Sequence, residues 1–181
     1  MQRLFIAIDM DEKVKDYIKS FTGSIPVLKW TKIEQLHITL KFLGDTSDEL
    51  FPEVMETLKS VKWEKFKLSI QSTGFFPNRQ RAEVFWLGIN EETKLIDLKN
   101  EIDKSLLPLG ILPEKRKFAP HLTLLRLKYA ESRTLPDKLE KTFAAFTPQT
   151  FKVNSFYLYS SKLDRSGAIH SKEAEYKAGL N

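Results

Sequence analysis

Two of the three histidines in this chain open the same phrase, His37-Ile38-Thr39-Leu40 and His121-Leu122-Thr123-Leu124. At ordinary residue frequencies, a Thr and a Leu at those offsets after two of three histidines is roughly a one-in-several-thousand coincidence. On a strand, side chains alternate faces with a period of two, so each His shares a face with its Thr while the apolar pair points the other way. Each phrase therefore presents an imidazole and a hydroxyl in front of an apolar anchor. Two imidazoles facing one cleft can act as general base and general acid, because the ordinary histidine pKa lies near neutrality. A Thr hydroxyl two residues along can hold a phosphoryl oxygen. Arg126 adds a fixed positive charge with forked donors that suit phosphate. It lies five residues after His121, so an unbroken strand would aim it at the opposite face. A bulge near Leu125, the end of the strand or the long Arg reach must bring it round.

Plainer readings stand beside these. Thr39 and Thr123 suit strands simply as β-formers, and Arg126 suits a surface ion pair. Zinc binding by the two histidines is disfavoured, since neither phrase has a second His or a carboxylate at a ligand-like offset. Phe42 follows the first phrase and is the sharpest candidate for stacking on a base, ahead of Phe75, Phe76 and Phe118. Most of the thirteen phenylalanines are expected in the core. Lys41 shares parity with His37 and Thr39 and is expected in the cleft or on the surface. His170, among Ser171, Lys172 and Glu173, reads as a solvated tail residue.

The elements that must position these residues follow from periodicity. Arg3–Ile8 is a short buried strand. Asp11–Phe21 has helical spacing, with Val14, Tyr17, Ile18 and Phe21 on one stripe, and Gly23 and Pro26 end it. Leu36–Leu43 is the strand of the first phrase, closed by Gly44-Asp45. A helix over Ser47–Val61 follows, with Ser47 as its cap. Strands are predicted over Lys65–Thr73 and Ala82–Ile89, then a helix over Glu92–Leu107. Phe118–Leu127 is the strand of the second phrase. Pro136–Phe146 is a weaker helix, and Phe151–Ser160 a final long strand. Each phrase thus follows a strand–helix segment and precedes another helix and strand. That order predicts an α+β chain of two pseudo-symmetric halves sharing one groove, folded as a single domain over residues 1–181.

With 181 residues, 41% hydrophobic and 29% charged, the composition is that of a soluble globular protein and excludes a disordered one. The absence of cysteine excludes disulfides and thiolate chemistry and fits a cytoplasmic location. The apolar run after Met1 is too short for a secretion signal, and no stretch approaches a membrane span. A net charge of +5 mildly favours anionic ligands, although the lysines are scattered as on a solvated surface.

At this point the chain resembles the 2H phosphoesterase superfamily, named for two His-x-Thr-x motifs. Within it the likeness is to the bacterial and archaeal RNA 2′,3′-cyclic phosphodiesterases, also called 2′-5′ RNA ligases. The residues that carry the likeness are Arg3-Leu4-Phe5-Ile6-Ala7-Ile8, the run Leu36 to Gly44, and Pro120-His121-Leu122-Thr123-Leu124-Leu125-Arg126. Trp86-Leu87-Gly88 and the run Phe156 to Leu163 also match, in the family's order. Two departures stand out: Lys117-Phe118-Ala119-Pro120 replaces the family's Arg-containing wording before the second motif, and the ending around His170 and Tyr176 fits poorly.

The resemblance implies a bilobal α+β fold with two antiparallel sheets lining a central cleft and helices outside. It implies hydrolysis of a terminal 2′,3′-cyclic phosphate to a 2′-phosphate without metal or other cofactor. His37 would be the proton donor to the departing 3′ oxygen and His121 the proton acceptor that activates water. Thr39, Thr123 and Arg126 would hold the phosphate. The expected partners are RNA ends or small nucleotides, with no membrane, and the expected state is a monomer. Reverse 2′-5′ ligation is allowed by the same chemistry. Two alternatives remain open: a nucleotide- or RNA-binding module on this fold, and a phosphodiesterase for 2′-5′ oligonucleotides or another cyclic nucleotide.

Overall fold

The computed structural model describes residues 1–90, 93–164 and 167–179. The chain opens with strand β1 (Gln2–Asp9), in which Leu4, Phe5, Ile6, Ala7 and Ile8 are all buried. Such an unbroken apolar run needs cover on both faces. Leu4, Ile6 and Ile8 join the main core, while Phe5 and Ala7 pack with Tyr159 in a small second cluster on the other side. Helix α1 (Glu12–Thr22) follows, started by Asp11, whose carboxylate accepts the Val14 N–H at 3.0 Å. Then come β2 (His37–Thr46), α2 (Leu50–Leu58), β3 (Phe66–Phe76) and β4 (Val84–Ile89). Ser47 caps the turn into α2, its hydroxyl accepting the Leu50 N–H at 3.2 Å. Helix α3 (Thr93–Leu106) buries the expected Leu95, Leu98, Ile102 and Leu106, and Glu92 lies outside the described residues. After β5 (His121–Arg126) come the short helices α4 (Glu131–Thr134) and α5 (Pro136–Phe143). Strands β6 (Gln149–Val153), β7 (Ser155–Asp164) and β8 (Gly167–Lys177) complete the chain.

The strands form a curled antiparallel sheet in the order β6-β3-β4-β5-β2-β1-β7-β8. The order divides into two four-stranded halves, β6-β3-β4-β5 and β2-β1-β7-β8, joined where Ile38 of β2 pairs with Leu122 of β5. These halves are the two expected sheets, fused edge to edge, and the two motif strands lie side by side at the seam. No helix among the described residues is long and apolar enough to cross a membrane.

The strands depart from the expected pattern in three places. The long strand expected over Phe151–Ser160 is two strands: Asn154 separates β6, which pairs with β3, from β7, which pairs with β1 in the other half. The residues after Gly167, to which periodicity assigns no element, form β8, a hairpin partner of β7. Its sequence is polar because it is an edge strand, and edge charges such as Lys172, Glu173 and Glu175 discourage pairing with other chains. Strand β2 also runs through Gly44-Asp45, where Gly44 adopts φ +75°.

Lys41 is neither in the cleft nor on the surface. It is 1% exposed, and its ammonium donates to the Asp103 carboxylate at 2.7 Å and to the Leu112 carbonyl at 2.8 Å. Asp103 also binds Lys99, one turn before it on α3. A buried carboxylate shared by two ammonium groups ties the first motif strand to the helix layer. Removing one partner of a buried pair leaves uncompensated charge and costs roughly 3–5 kcal/mol. We therefore expect Asp103→Ala to lose stability on that scale in urea denaturation, well beyond an exposed control such as Asp48→Ala.

Candidate active site

Both motif strands carry a bulge at the same place. Between β4 and β5 the register steps from Trp86–Thr123 to Phe85–Leu125, so Leu124 is the extra residue. Between β1 and β2 it steps from Ala7–Thr39 to Ile6–Lys41, so Leu40 is extra. The repeated Leu of each phrase is thus its bulge residue. Parity inverts beyond it: Lys41 and Leu125 turn into the core, and Phe42 and Arg126 turn to the face of the histidines. Arg126 therefore reaches the cleft by the bulge route foreseen near Leu125. The bulge in β5 is fastened from outside, where Thr31 donates its N–H to the Leu124 carbonyl at 2.8 Å and Trp30 bridges to Leu125.

All the anticipated residues meet in one cavity of about 850 Å³, lined by His37, Thr39, Phe42, His121, Thr123 and Arg126. Antiparallel pairing of Ile38 with Leu122 sets His37 level with Thr123 and Thr39 level with His121. Each imidazole is pinned in the same way. His37 Nδ1 donates to the Gln35 carbonyl at 2.7 Å, and His121 Nδ1 donates to the Ala119 carbonyl at 2.8 Å. With Nδ1 engaged, Nε2 is the ring nitrogen left for proton transfer in both. The hydroxyls of Thr39 and Thr123 make no hydrogen bond among the described residues. Phe42 is 62% exposed, free to offer a ring face. Phe75 is in the core, Phe118 packs against the core, and Phe76 lies edge-on to His121 with ring centroids 4.8 Å apart.

The sequence reading missed several neighbours. His170 of β8 is not solvated: its ring sits 5.3 Å from that of His37, perpendicular to it, and 4.9 Å from Phe5. Phe5, stacked on Tyr159, underlies His37 at 4.8 Å. Opposite, Trp86 and Phe76 form the floor near His121, and Trp86 lies so close over Gly74 that a Cβ there would come within 2.2 Å of its ring. Arg3, Lys29 and Lys32 add positive charge to the rim. Phase slips in the apolar pattern, such as the doublet Leu124-Leu125, were the signal for the bulges. His170 had no such signal. Tyr176 is structural, stacked on Phe156 with its hydroxyl donating to the Met55 carbonyl.

The two histidines sit in different fields. Burial pushes His37 down to about 4, against the hydrogen bond to Gln35 and the nearby Asp9 carboxylate, which pull it up. Asp9 lies opposite His37 in the β1–β2 register, whereas Gly88 lies opposite His121. Burial also lowers His121, and there the Arg126 charge adds to the effect. Asp9 itself is ionised below the usual carboxylate range, because hydrogen bonds from Lys172 (2.6 Å) and Lys15 (2.9 Å) outweigh its burial. Among the described residues no three His, Cys, Asp or Glu side chains are grouped to hold a metal ion.

Residues 29–165 match the sequence pattern of the 2′-5′ RNA ligase superfamily. The chain belongs to this superfamily. It is 33% identical to the RNA 2′,3′-cyclic phosphodiesterase of Methanocaldococcus jannaschii, over 96% of this chain and 99% of that protein. It is 35% identical to the enzyme of the same name from Archaeoglobus fulgidus, over 93% of this chain and 96% of that protein. Among solved structures, Escherichia coli LigT complexed with 3′-AMP superposes with a TM-score of 0.78 at 25% identity, covering 99% of both chains. These likenesses mark the chain as an enzyme of this kind.

The fields around the histidines predict their titration. In the free protein His37 should titrate near pH 4 by NMR, and inorganic phosphate, by placing negative charge in the cleft, should move that midpoint up. A free-protein midpoint at the ordinary histidine value would contradict the burial argument. His37, His121 and His170 all have lowered pKa values in the fold. The unfolded chain therefore binds more protons as pH falls from about 6.5 towards 4, and stability to urea should fall across that window.

Proposed function

We propose that the cleft hydrolyses RNA ends bearing a 2′,3′-cyclic phosphate to 2′-phosphate ends by proton transfer between the two histidines, without a metal. The observation that carries the reading is the pair of imidazoles at the seam of the sheet, each pinned through Nδ1 so that Nε2 is free at one cavity. Displacement at phosphorus needs the attacking and leaving oxygens roughly in line. Two proton-transfer groups brought by two opposed strands suit that requirement.

His121, held neutral by burial and by Arg126, takes a proton from water as its oxygen bonds to phosphorus. His37 gives its Nε2 proton to the 3′ oxygen as the P–O3′ bond breaks, leaving a 3′-hydroxyl and a 2′-phosphate. Exchange with solvent then restores both rings. The Asp9 carboxylate favours the charged form of His37, and the phosphate's own charge adds to it on binding, which offsets the low value set by burial in the empty cleft. Thr39 and Thr123 donate to the non-bridging oxygens, Arg126 neutralises the growing charge and Phe42 stacks on the terminal base. The names of the relatives support the substrate class. The reverse 2′-5′ ligation uses the same groups and is the minor direction in dilute water.

The test is incubation with RNA ending in a 2′,3′-cyclic phosphate, in the presence of EDTA, with product identification. We expect a 2′-phosphate product, and about 10²–10⁴-fold loss of kcat/KM in His37→Ala and in His121→Ala. No turnover, or release of a 3′-phosphate alone, would sink the proposal.

A further inference from the structure

The cleft does not end at Arg126. A second cavity of about 750 Å³ adjoins it, sharing Arg126 and Val84 with the first. Its lining adds two more guanidinium groups, Arg81 and Arg133, the phenol of Tyr129 and a single carboxylate, Glu83. Three guanidinium groups against one carboxylate leave this cavity positive.

Their pairing separates these arginines from ordinary surface charge. Arg79, two residues before Arg81 in the same tight turn, is bound to Glu140 at 3.0 Å and to Asp137, so its charge is neutralised within the protein. Arg81 and Arg126 have no carboxylate partner among the described residues. Arg133 is instead laid over the Tyr129 ring, 5.0 Å from its centroid, and donates to the Tyr129 hydroxyl at 2.8 Å. That ring is 77% exposed and is held at the cavity mouth by its own arginine. Cations in series beside an exposed, oriented aromatic ring are what a single-stranded nucleic acid requires: phosphates track the cations and a base stacks on the ring.

We propose that this second cavity is a subsite for the RNA strand that precedes the reacting end, with Arg81 and Arg133 on its phosphodiesters and Tyr129 under one of its bases. The assignment rests on the hydrolase reading only in placing the 3′ end at His37 and His121. Contacts to phosphate carry no sequence information. The subsite therefore selects a strand over a mononucleotide, not one sequence over another.

The test uses the full chain and a 5′-labelled single-stranded RNA octamer ending in a 2′-phosphate, with binding followed by fluorescence anisotropy over a range of salt. A nucleoside 2′-phosphate serves as the short comparison. Arg81 and Arg133 are both exposed, so Arg81→Gln/Arg133→Gln should fold. We expect this double variant to bind the octamer about tenfold more weakly. Its slope of log affinity on log salt should be smaller by about 1.4, from roughly 0.7 per lost phosphate contact on a single strand. Tyr129→Ala should weaken octamer binding about fivefold or more with the salt slope kept. The subsite is refuted if the double variant binds the octamer as the native protein does, or loses the mononucleotide by the same factor. If the native protein fails to hydrolyse cyclic ends, the hydrolase reading falls, and the binding comparison still decides the subsite.

Discussion

The constraint on which the site depends is strand parity. A regular β2 or β5 would send the fifth residue after each histidine into the helix layer. A bulge residue in each strand, Leu40 in β2 and Leu124 in β5, reverses this. The two inversions do different jobs. The one in β5 delivers Arg126 to the cleft, and the one in β2 drives Lys41 into the core, where Asp103 and the Leu112 carbonyl receive its charge. Site and anchor thus rest on the same kind of irregularity, made once in each motif strand, and the loop carrying Thr31 closes over the one in β5.

Around this frame the protein surrounds its imidazoles with rings. Phe5, Tyr159 and His170 enclose His37, while Phe76 and Trp86 flank His121. Aromatic walls withdraw water and hold both histidines in the neutral form. An empty cleft of this kind lacks a charged acid. On the proposed mechanism the anionic substrate supplies the field that protonates one, so the acid is assembled by binding.

Much of this was legible in the chain. The two phrases, the helical stripes of α1 and α3 and the strands flanking them follow from periodicity, because each buries one apolar face. The doublet Leu124-Leu125 betrays the bulge in β5. The split at Asn154 left only a faint trace, a slip of the buried phase from Phe151 and Val153 to Phe156 and Leu158. Strand β8 left none, since an edge strand has little to bury, and with it His170 was lost from view. Lys41 misled for a related reason: a lysine in a strand signals solvent unless its distant carboxylate is known, and Asp103 is sixty-two residues away. The cavity beyond Arg126 depends on turns that converge only in three dimensions.

The sheet places one motif strand on either side of its seam. A perfect two-fold site would accept a substrate in either of two orientations, one with donor and acceptor exchanged relative to the other. Here the repeat fails at matched places: Phe42 stands where the other half has Arg126, and Asp9 stands where it has Gly88. On the proposed mechanism these mismatches lift the degeneracy, since the substrate's anion goes to the Arg126 end of the axis and its base to the Phe42 end. The fold supplies two copies of one His-x-Thr unit, and the broken symmetry between them gives the cleft a polarity.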